Sequence, residues 1–353
     1  MRVLLAQNMP YLPGHGGATK SNRLLLQELA ARGHRCVAVT RGEPGVRTIA
    51  GVEVFAAGGP RLPRLVREVA AAEEPDAVLV PSDDPGLMVL GSALRAAPGR
   101  VVYLVHTLQQ LPFGPRAFYP SESGHRMVAR ARSIVAVSRA AHDYVREHGG
   151  LESTVLYPHV YGPGPHPDLS DAGGVVTMVN PCGFKGLPVL LGLADARPAT
   201  RFRAVRTWGS TDDELAELAA RPNIEVVAAV PDIADVLRGS RALLMPSLWD
   251  ETFGYTAVEA MLHGVPVLAA DVGGLREAKL GVPYLLPVTP ITGYRPQRGG
   301  EPYPRPIVPP QDIAPWLAAL DDAAAVAAQG RQAAAAFVAA LDPGALEKHL
   351  VNL

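Results

Sequence analysis

Two carboxylates eight positions apart, Glu251 and Glu259, flank the point where an apolar run gives way to a loop and then to a helix-like segment. A helix start offers unpaired N–H groups and a positive dipole end, which suits phosphate or polar sugar groups. Carboxylates accept hydrogen bonds from neighbouring hydroxyls, so a pair at this spacing can hold a sugar ring and a ribose. By spacing alone, Glu251 is as readily a solvated loop acid and Glu259 a dipole partner of its helix. Lys185 follows the first apolar run of the second half of the chain and reads as a phosphate contact or as a solvated lysine at a helix start. His106 closes the run 101–105, where a lone histidine serves either a site or a structural hydrogen bond. The glycine-bearing stretch 13–19 joins the first apolar run to the first helix. Glycines there let backbone approach a ligand, but the stretch has neither Gly-x-Gly-x-x-Gly nor Gly-Lys-Ser/Thr.

Residues 245–277 are similar to the signature of the family 4 retaining glycosyltransferases, which adopt the GT-B fold. That signature sets Glu-x7-Glu across a strand, a loop and a helix, followed by Ala-Met-x-x-Gly-x-Pro-Val and a Gly-Gly turn. This chain has Glu251 and Glu259, then Ala260-Met261, Gly264, Pro266-Val267 and Gly273-Gly274. The resemblance implies that Glu259 binds the ribose of a nucleotide and that Glu251 bonds the transferred sugar near its anomeric carbon. Backbone amides of Phe253 and Gly254, beside Thr252, would touch sugar or diphosphate. Lys185 matches a diphosphate-clamping lysine, whereas Asn180 stands where relatives often carry an arginine. That departure removes one fixed cation from the leaving group, and Arg206 is a candidate to replace it.

The same resemblance sets Gly16 and Gly17 in a loop against the donor phosphate, and His106 beside the donor sugar at the reaction centre. Arg139, after Ser138, would reach the diphosphate or serve a helix dipole or the surface. The loop at Val230, before Asp232, would border the base. The implied co-substrate is a nucleoside diphosphate sugar, UDP-sugar favoured, with a small-molecule, natural-product or glycan or lipid hydroxyl as acceptor. Transfer with retention proceeds by front-face attack, in which the leaving phosphate oxygen takes the acceptor proton. No Asp-x-Asp occurs, since Asp83-Asp84, Asp212-Asp213 and Asp321-Asp322 are adjacent pairs, and no metal is expected. The rival readings are a nucleotide-sugar epimerase of the same fold and a non-catalytic nucleotide-sugar-binding subunit.

These residues need a scaffold, and the pattern is that of an α/β chain. Apolar runs at 3–6, 36–39, 52–55, 77–80, 101–105, 134–137 and 154–156 read as strands, with a helix at 18–32 and others between. A Pro/Gly-rich stretch, 158–174, can continue neither a helix nor a central strand. A second series follows, with strands at 175–179, 202–205, 224–227, 242–245 and 267–270. Its helices are expected at 187–196, 212–220, 233–238 and 255–263. Residues 291–310 form a long Pro/Gly-rich loop, 312–341 a helical stretch and 345–351 a last short helix. The expectation is GT-B: two Rossmann-like, doubly wound parallel-sheet domains facing across a cleft. Residues 1–160 would be the acceptor domain, 161–335 the donor domain, and 336–353 a C-terminal helix returning to the first.

The chain has 353 residues, a length that suits two domains. A formal net charge of −1 gives no general attraction to nucleic acid. Two isolated cysteines, Cys36 and Cys182, without Cys-x-x-Cys, fit a reducing compartment. The N-terminal apolar run is too short for a signal peptide, and a cytoplasmic protein is expected. Arg61, Arg64 and Arg67 form one basic cluster, and Arg126, Arg130, Arg132 and Arg139 another. Each is either a solvated helix face or, with Leu65 and Val69 beside the first, a weak peripheral membrane contact.

Overall fold

A computed structural model describes residues 1–14, 16–297 and 303–353 and divides them into two compact units. Unit 1 comprises Met1–Val160 and Leu341–Leu353, and unit 2 comprises Tyr161–Ala340. His15 of the 13–19 loop and residues 298–302 of the 291–310 loop lie outside the described residues.

The elements of unit 1 begin with β1 (Arg2–Gln7), α1 (Gly17–Ala31), β2 (Arg35–Arg41), β3 (Gly45–Ile49), β4 (Val52–Ala57) and α2 (Leu62–Glu73). They continue with β5 (Ala77–Pro81), α3 (Met88–Ala96), β6 (Val101–Val105), α4 (Glu122–Val128), β7 (Ser133–Ala136), α5 (Arg139–Gly149) and β8 (Thr154–Val155). Unit 2 begins with β9 (Ser170–Val179), α6 (Leu187–Ala196), β10 (Phe202–Arg206), α7 (Asp212–Ala219), β11 (Ile224–Ala228), α8 (Ile233–Leu237) and β12 (Ser240–Met245). Then come α9 (Tyr255–Leu262), β13 (Val267–Ala270), α10 (Leu275–Ala278), β14 (Leu285–Leu286), β15 (Tyr294–Arg295), β16 (Arg305–Pro306), α11 (Ala314–Asp321) and α12 (Ala327–Ala339). The last helix, α13 (Ala345–Val351), belongs to unit 1.

The sheet of unit 1 runs β3-β4-β2-β1-β5-β6-β7-β8, parallel throughout except for β3, which pairs antiparallel with β4 at the edge. The sheet of unit 2 runs β11-β10-β9-β12-β13-β14, all parallel. Leaving β3 and the short β8 aside, both show the doubly wound order in which the first strand is flanked by the second and the fourth. The strands read as unbroken apolar runs because both faces are covered. In β1, Val3 and Leu5 pack with Leu26 and Leu29 of α1 and with Leu346 and Leu350 of α13. Leu4 and Ala6 pack on the other face with Val66 of α2 and Leu90 of α3. Each fully buried leucine here stabilises the fold by about 1.5–3 kcal/mol.

Four expectations need correction. The strand β9 starts at Ser170, inside the stretch expected to exclude strand; residues 170–173 are exposed and ladder pairing begins only at Val175 and Val176, so this part is an overhang. The expected helix 312–341 is broken into α11, a 3-10 turn at Ala323–Val326, and α12. The 291–310 loop carries a small antiparallel hairpin, β15–β16. Finally, α2 offers no apolar stripe to a membrane: Val69 is buried and Leu65 packs on the core. On that helix Arg64 pairs with Glu68 at 2.6 Å, and Arg67 donates to Ser92 Oγ at 3.2 Å. Among the described residues no helix is long and apolar enough to cross a membrane.

Candidate functional site

In open α/β sheets, ligands bind beyond the carboxyl ends of the strands at the point where strand order reverses. In unit 2 that point lies between β9 and β12, flanked by the loops that follow them. The two loops are tied together, the Leu248 N–H donating to Phe184 O at 2.9 Å. They bring Lys185 and Glu251 into contact: Lys185 Nζ donates to Glu251 Oε1 at 2.5 Å. Ser247 Oγ at 2.5 Å and Trp249 Nε1 at 3.1 Å donate to the same oxygen. All three donors converge on Oε1. Lys185 Nζ also sits 4.6 Å from the Trp249 ring centroid, a cation–π contact.

The side chains of Lys185 and Glu251 are 19% and 13% exposed, so neither is the freely solvated group that spacing alone allowed. Burial pushes the Glu251 carboxyl up, but the Lys185 charge and the bonds from Lys185, Ser247 and Trp249 outweigh it and hold the group below its ordinary value. Glu251 is therefore a carboxylate at neutral pH.

The backbone beneath this carboxylate is held by the Gly273-Gly274 turn. Gly274 N–H donates to Glu251 O at 2.7 Å. A Cβ on Gly273 would lie 2.5 Å from Glu251 O, and one on Gly274 would lie 2.4 Å from Thr252 O. Gly186, at φ 86°, presses in the same way on Pro246, so the Lys185 turn and the Glu251 loop fit only through glycine. Beyond the loop, Gly254 stands at the N-cap position of α9, Phe253 is buried with its ring stacked 5.9 Å from Phe337, and Thr252 is buried. Glu259 is buried in the second turn of α9.

The other candidates separate. Asn180, after β9, has φ 61°, and its Oδ1 accepts the Gly209 N–H at 3.0 Å, so its amide braces the loop after β10. Its Nδ2 is buried without a partner. Arg206 ends β10 and is exposed. Val230 is exposed beyond β11 at the sheet edge, three strand positions from β12, or on the order of 14 Å.

In unit 1, Gly16 caps the start of α1 at φ 86° and Gly17 is its first residue. Arg139 is exposed as the first residue of α5 after the Ser138 cap. The dipole role proposed for it fails, because that helix end is already positive. His106 follows β6 and lines a cavity of about 20 Å³, roughly one water's worth, with Leu25, Leu104, Val135, Leu156 and Leu346. Neither ring nitrogen has a protein partner, which removes the structural hydrogen bond as its explanation. Burial pulls its pKa down to about 4, so the ring is neutral at pH 7.

Ser247 and Trp249 escaped the sequence reading, though both sit in the same loop as Glu251; only the loop conformation turns their donors onto one oxygen. Among the described residues no cluster of His, Cys, Asp or Glu could hold a metal ion. Both cysteines are buried thiols.

Known proteins resemble the chain in sequence and fold. Residues 184–289 match the family described as Glycosyl transferases group 1, and residues 15–194, half of the chain, match Glycosyltransferase Family 4. A D-inositol 3-phosphate glycosyltransferase of Streptomyces coelicolor is 29% identical over 252 residues, covering 66% of this chain and 45% of that protein. Its namesake in Streptomyces avermitilis is 28% identical over 240 residues, covering 66% and 41%. The chain thus spans less than half the length of these curated relatives. Among solved structures, sucrose-phosphate synthase from Thermosynechococcus elongatus superposes with a TM-score of 0.69 at 17% identity, covering 95% of this chain and 94% of that one. Anabaena HepE, in complex with UDP and glucose, gives 0.67 at 18%, covering 100% and 98%. The fold they share with this chain is GT-B. With that fold, and with half its length matched to the family's own pattern, the chain belongs to Glycosyltransferase Family 4.

Proposed function

We propose that this protein is a retaining glycosyltransferase that moves a sugar from a nucleoside diphosphate sugar, UDP-sugar favoured, to an acceptor hydroxyl. The observation that carries this reading is the convergence of Lys185, Ser247 and Trp249 on Glu251 Oε1 at the strand-order reversal of unit 2. It leaves an ionised carboxylate whose three donors share one oxygen, with a lysine beside it. Glu251 Oε2 accepts hydroxyls of the transferred sugar, and Lys185 neutralises the diphosphate as it departs. Glu259 takes the ribose hydroxyls, with Thr252, Phe253 and Gly254 forming the floor at the start of α9. Arg206, exposed at the end of β10, supplies the second cation that Asn180 does not. The loop at Val230 borders the base.

In the transfer, the bond from the anomeric carbon to the diphosphate oxygen breaks and a bond to the acceptor oxygen forms on the same face. The acceptor proton passes to the leaving phosphate oxygen. The protein supplies position and charge. The preference for UDP is supported by HepE, solved with UDP and with UDP-glucose. The acceptor is a small polar hydroxyl compound or a glycan or lipid precursor. Relatives named for inositol phosphate support the first.

Thermal shift with UDP, GDP and dTDP, followed by product analysis with the preferred donor, tests the reading. Stabilisation by UDP and a product with retained configuration are expected. A free sugar isomer formed without acceptor would favour an epimerase instead, and donor binding without turnover on any acceptor class would favour a binding subunit.

A further inference from the structure

The hairpin β15–β16 lies past residue 289, where the match to Glycosyl transferases group 1 ends. Its base is fastened to the Glu251 loop, the Ile291 N–H donating to Leu248 O at 2.9 Å. Its arms reach the two neighbouring loops. Tyr294 sits 6.4 Å from Phe184, beside Lys185, and a Cβ on Gly183 would lie 3.0 Å from Pro306. Tyr303 sets its ring edge-on to Trp208 at 5.4 Å, and Trp208 lies 6.1 Å from Trp249. The hairpin therefore touches the loops after β9, β10 and β12, all at the carboxyl edge of the sheet.

The rings differ in what they have left to offer. Trp249 is buried, its Nε1 committed to Glu251 and its face to Lys185. Trp208 is half-buried, and its loop is held by the Asn180 bond to Gly209. Pyranoses carry an apolar C–H face opposite their hydroxyls, and aromatic rings line sites for ligands of this mixed character.

We infer that Trp208, propped by Tyr303 of the hairpin, is the wall that selects the transferred sugar of the donor by packing on its apolar face. This rests on the donor reading above. It assigns sugar choice to Trp208 and to its support by a hairpin that lies beyond the family-matched segments, while the carboxylate and the lysine supply the reaction common to all donors.

The test measures dissociation constants of the full chain for UDP, UDP-glucose, UDP-galactose and UDP-N-acetylglucosamine. Wild type, Trp208→Ala, Trp208→Phe and Tyr303→Ala are compared. Wild type is expected to discriminate among the sugars, and Trp208→Ala to shrink that discrimination by about tenfold while UDP affinity holds within about twofold. Trp208→Phe should keep most of the discrimination, and Tyr303→Ala should lose part of it. Unchanged discrimination in Trp208→Ala overturns the inference. So does an equal weakening of UDP and every UDP-sugar, which marks a scaffold role, or an effect confined to the acceptor KM. Wild type that binds no UDP compound overturns the donor reading itself, an outcome distinct from any change among the variants.

Discussion

The fourth strand in the doubly wound order of each sheet runs out into a loop acid, and the two acids have opposite fates. In unit 1 the strand is β5 and the acid is Asp83, buried and accepting the Asn8 N–H at 3.2 Å. In unit 2 the strand is β12 and the acid is Glu251. Burial pushes both carboxyls up. For Asp83 the backbone bonds do not compensate, the adjacent Asp84 adds to the rise, and its pKa reaches about 8. For Glu251 the Lys185 charge reverses the outcome. The same topological position therefore yields a neutral clasp between two backbone loops in one unit and an ionised, lysine-paired group in the other. The decisive difference is a single lysine delivered by the neighbouring loop, so a place in the fold does not by itself assign chemistry.

Several variants would break or sharpen this contrast. Glu251→Gln keeps the shape and removes the charge; turnover should fall about 10³-fold, with UDP affinity nearly unchanged, as read by steady-state rates and calorimetry. Near-normal turnover would remove Glu251 from the reaction. Lys185→Met should lower turnover by about 10²-fold. It should also move Glu251 in the direction seen at Asp83, because burial is then opposed only by the Ser247 and Trp249 bonds. The acid limb of the pH–rate profile, which lies below the usual glutamate range in wild type, should then move to higher pH. An unmoved limb would mean that Lys185 does not set the charge of Glu251. Ser247→Ala removes one of three donors to Oε1 and should cost about 1 kcal/mol of transition-state stabilisation, or about fivefold in kcat/KM.

The smallest effect on activity is expected from Asp83→Asn. In the fold Asp83 holds its proton up to about pH 8, whereas its ordinary pKa is 3.8. The unfolded chain thus binds fewer protons between those values, and this group makes stability fall as pH rises through the window. Asp83→Asn should abolish that contribution while leaving turnover little changed. Urea midpoints at pH 5 and pH 8 measure it, and a large loss of turnover would give unit 1 its own catalytic carboxyl and end the contrast.

Much of the fold could be read from the apolar runs, because strands covered on both faces, such as β1 with Val3, Leu4, Leu5 and Ala6, need no other signal. The edge strand β3 could not: Gly45 to Thr48 are exposed and carry no hydrophobic period. The overhang of β9 and the two-residue arms β15 and β16 were hidden for the same reason. Within the site, the spacing of Glu251 and Glu259 and the Lys185-Gly186 turn were visible as motif. The bond joining Lys185 to Glu251 was not, since it depends on two loops 66 positions apart meeting at the strand-order reversal. Asn180 could be placed but not oriented; only the fold shows its amide turned to Gly209.

The return of α13 to unit 1 bears on how the chain is made. Leu346 and Leu350 close the face of Val102, Leu104 and Val135, and Glu347 meets His34 at 2.8 Å and Arg32 at 3.2 Å. Unit 2 is one contiguous stretch, 161–340, and can assemble as it leaves the ribosome. Unit 1 is synthesised first yet waits for residues 341–353, a delay of about 10–35 s at ordinary elongation rates. During that interval an apolar seam of the older unit stands open, so the half begun first is finished last and is the half most exposed to chaperones and to misassembly.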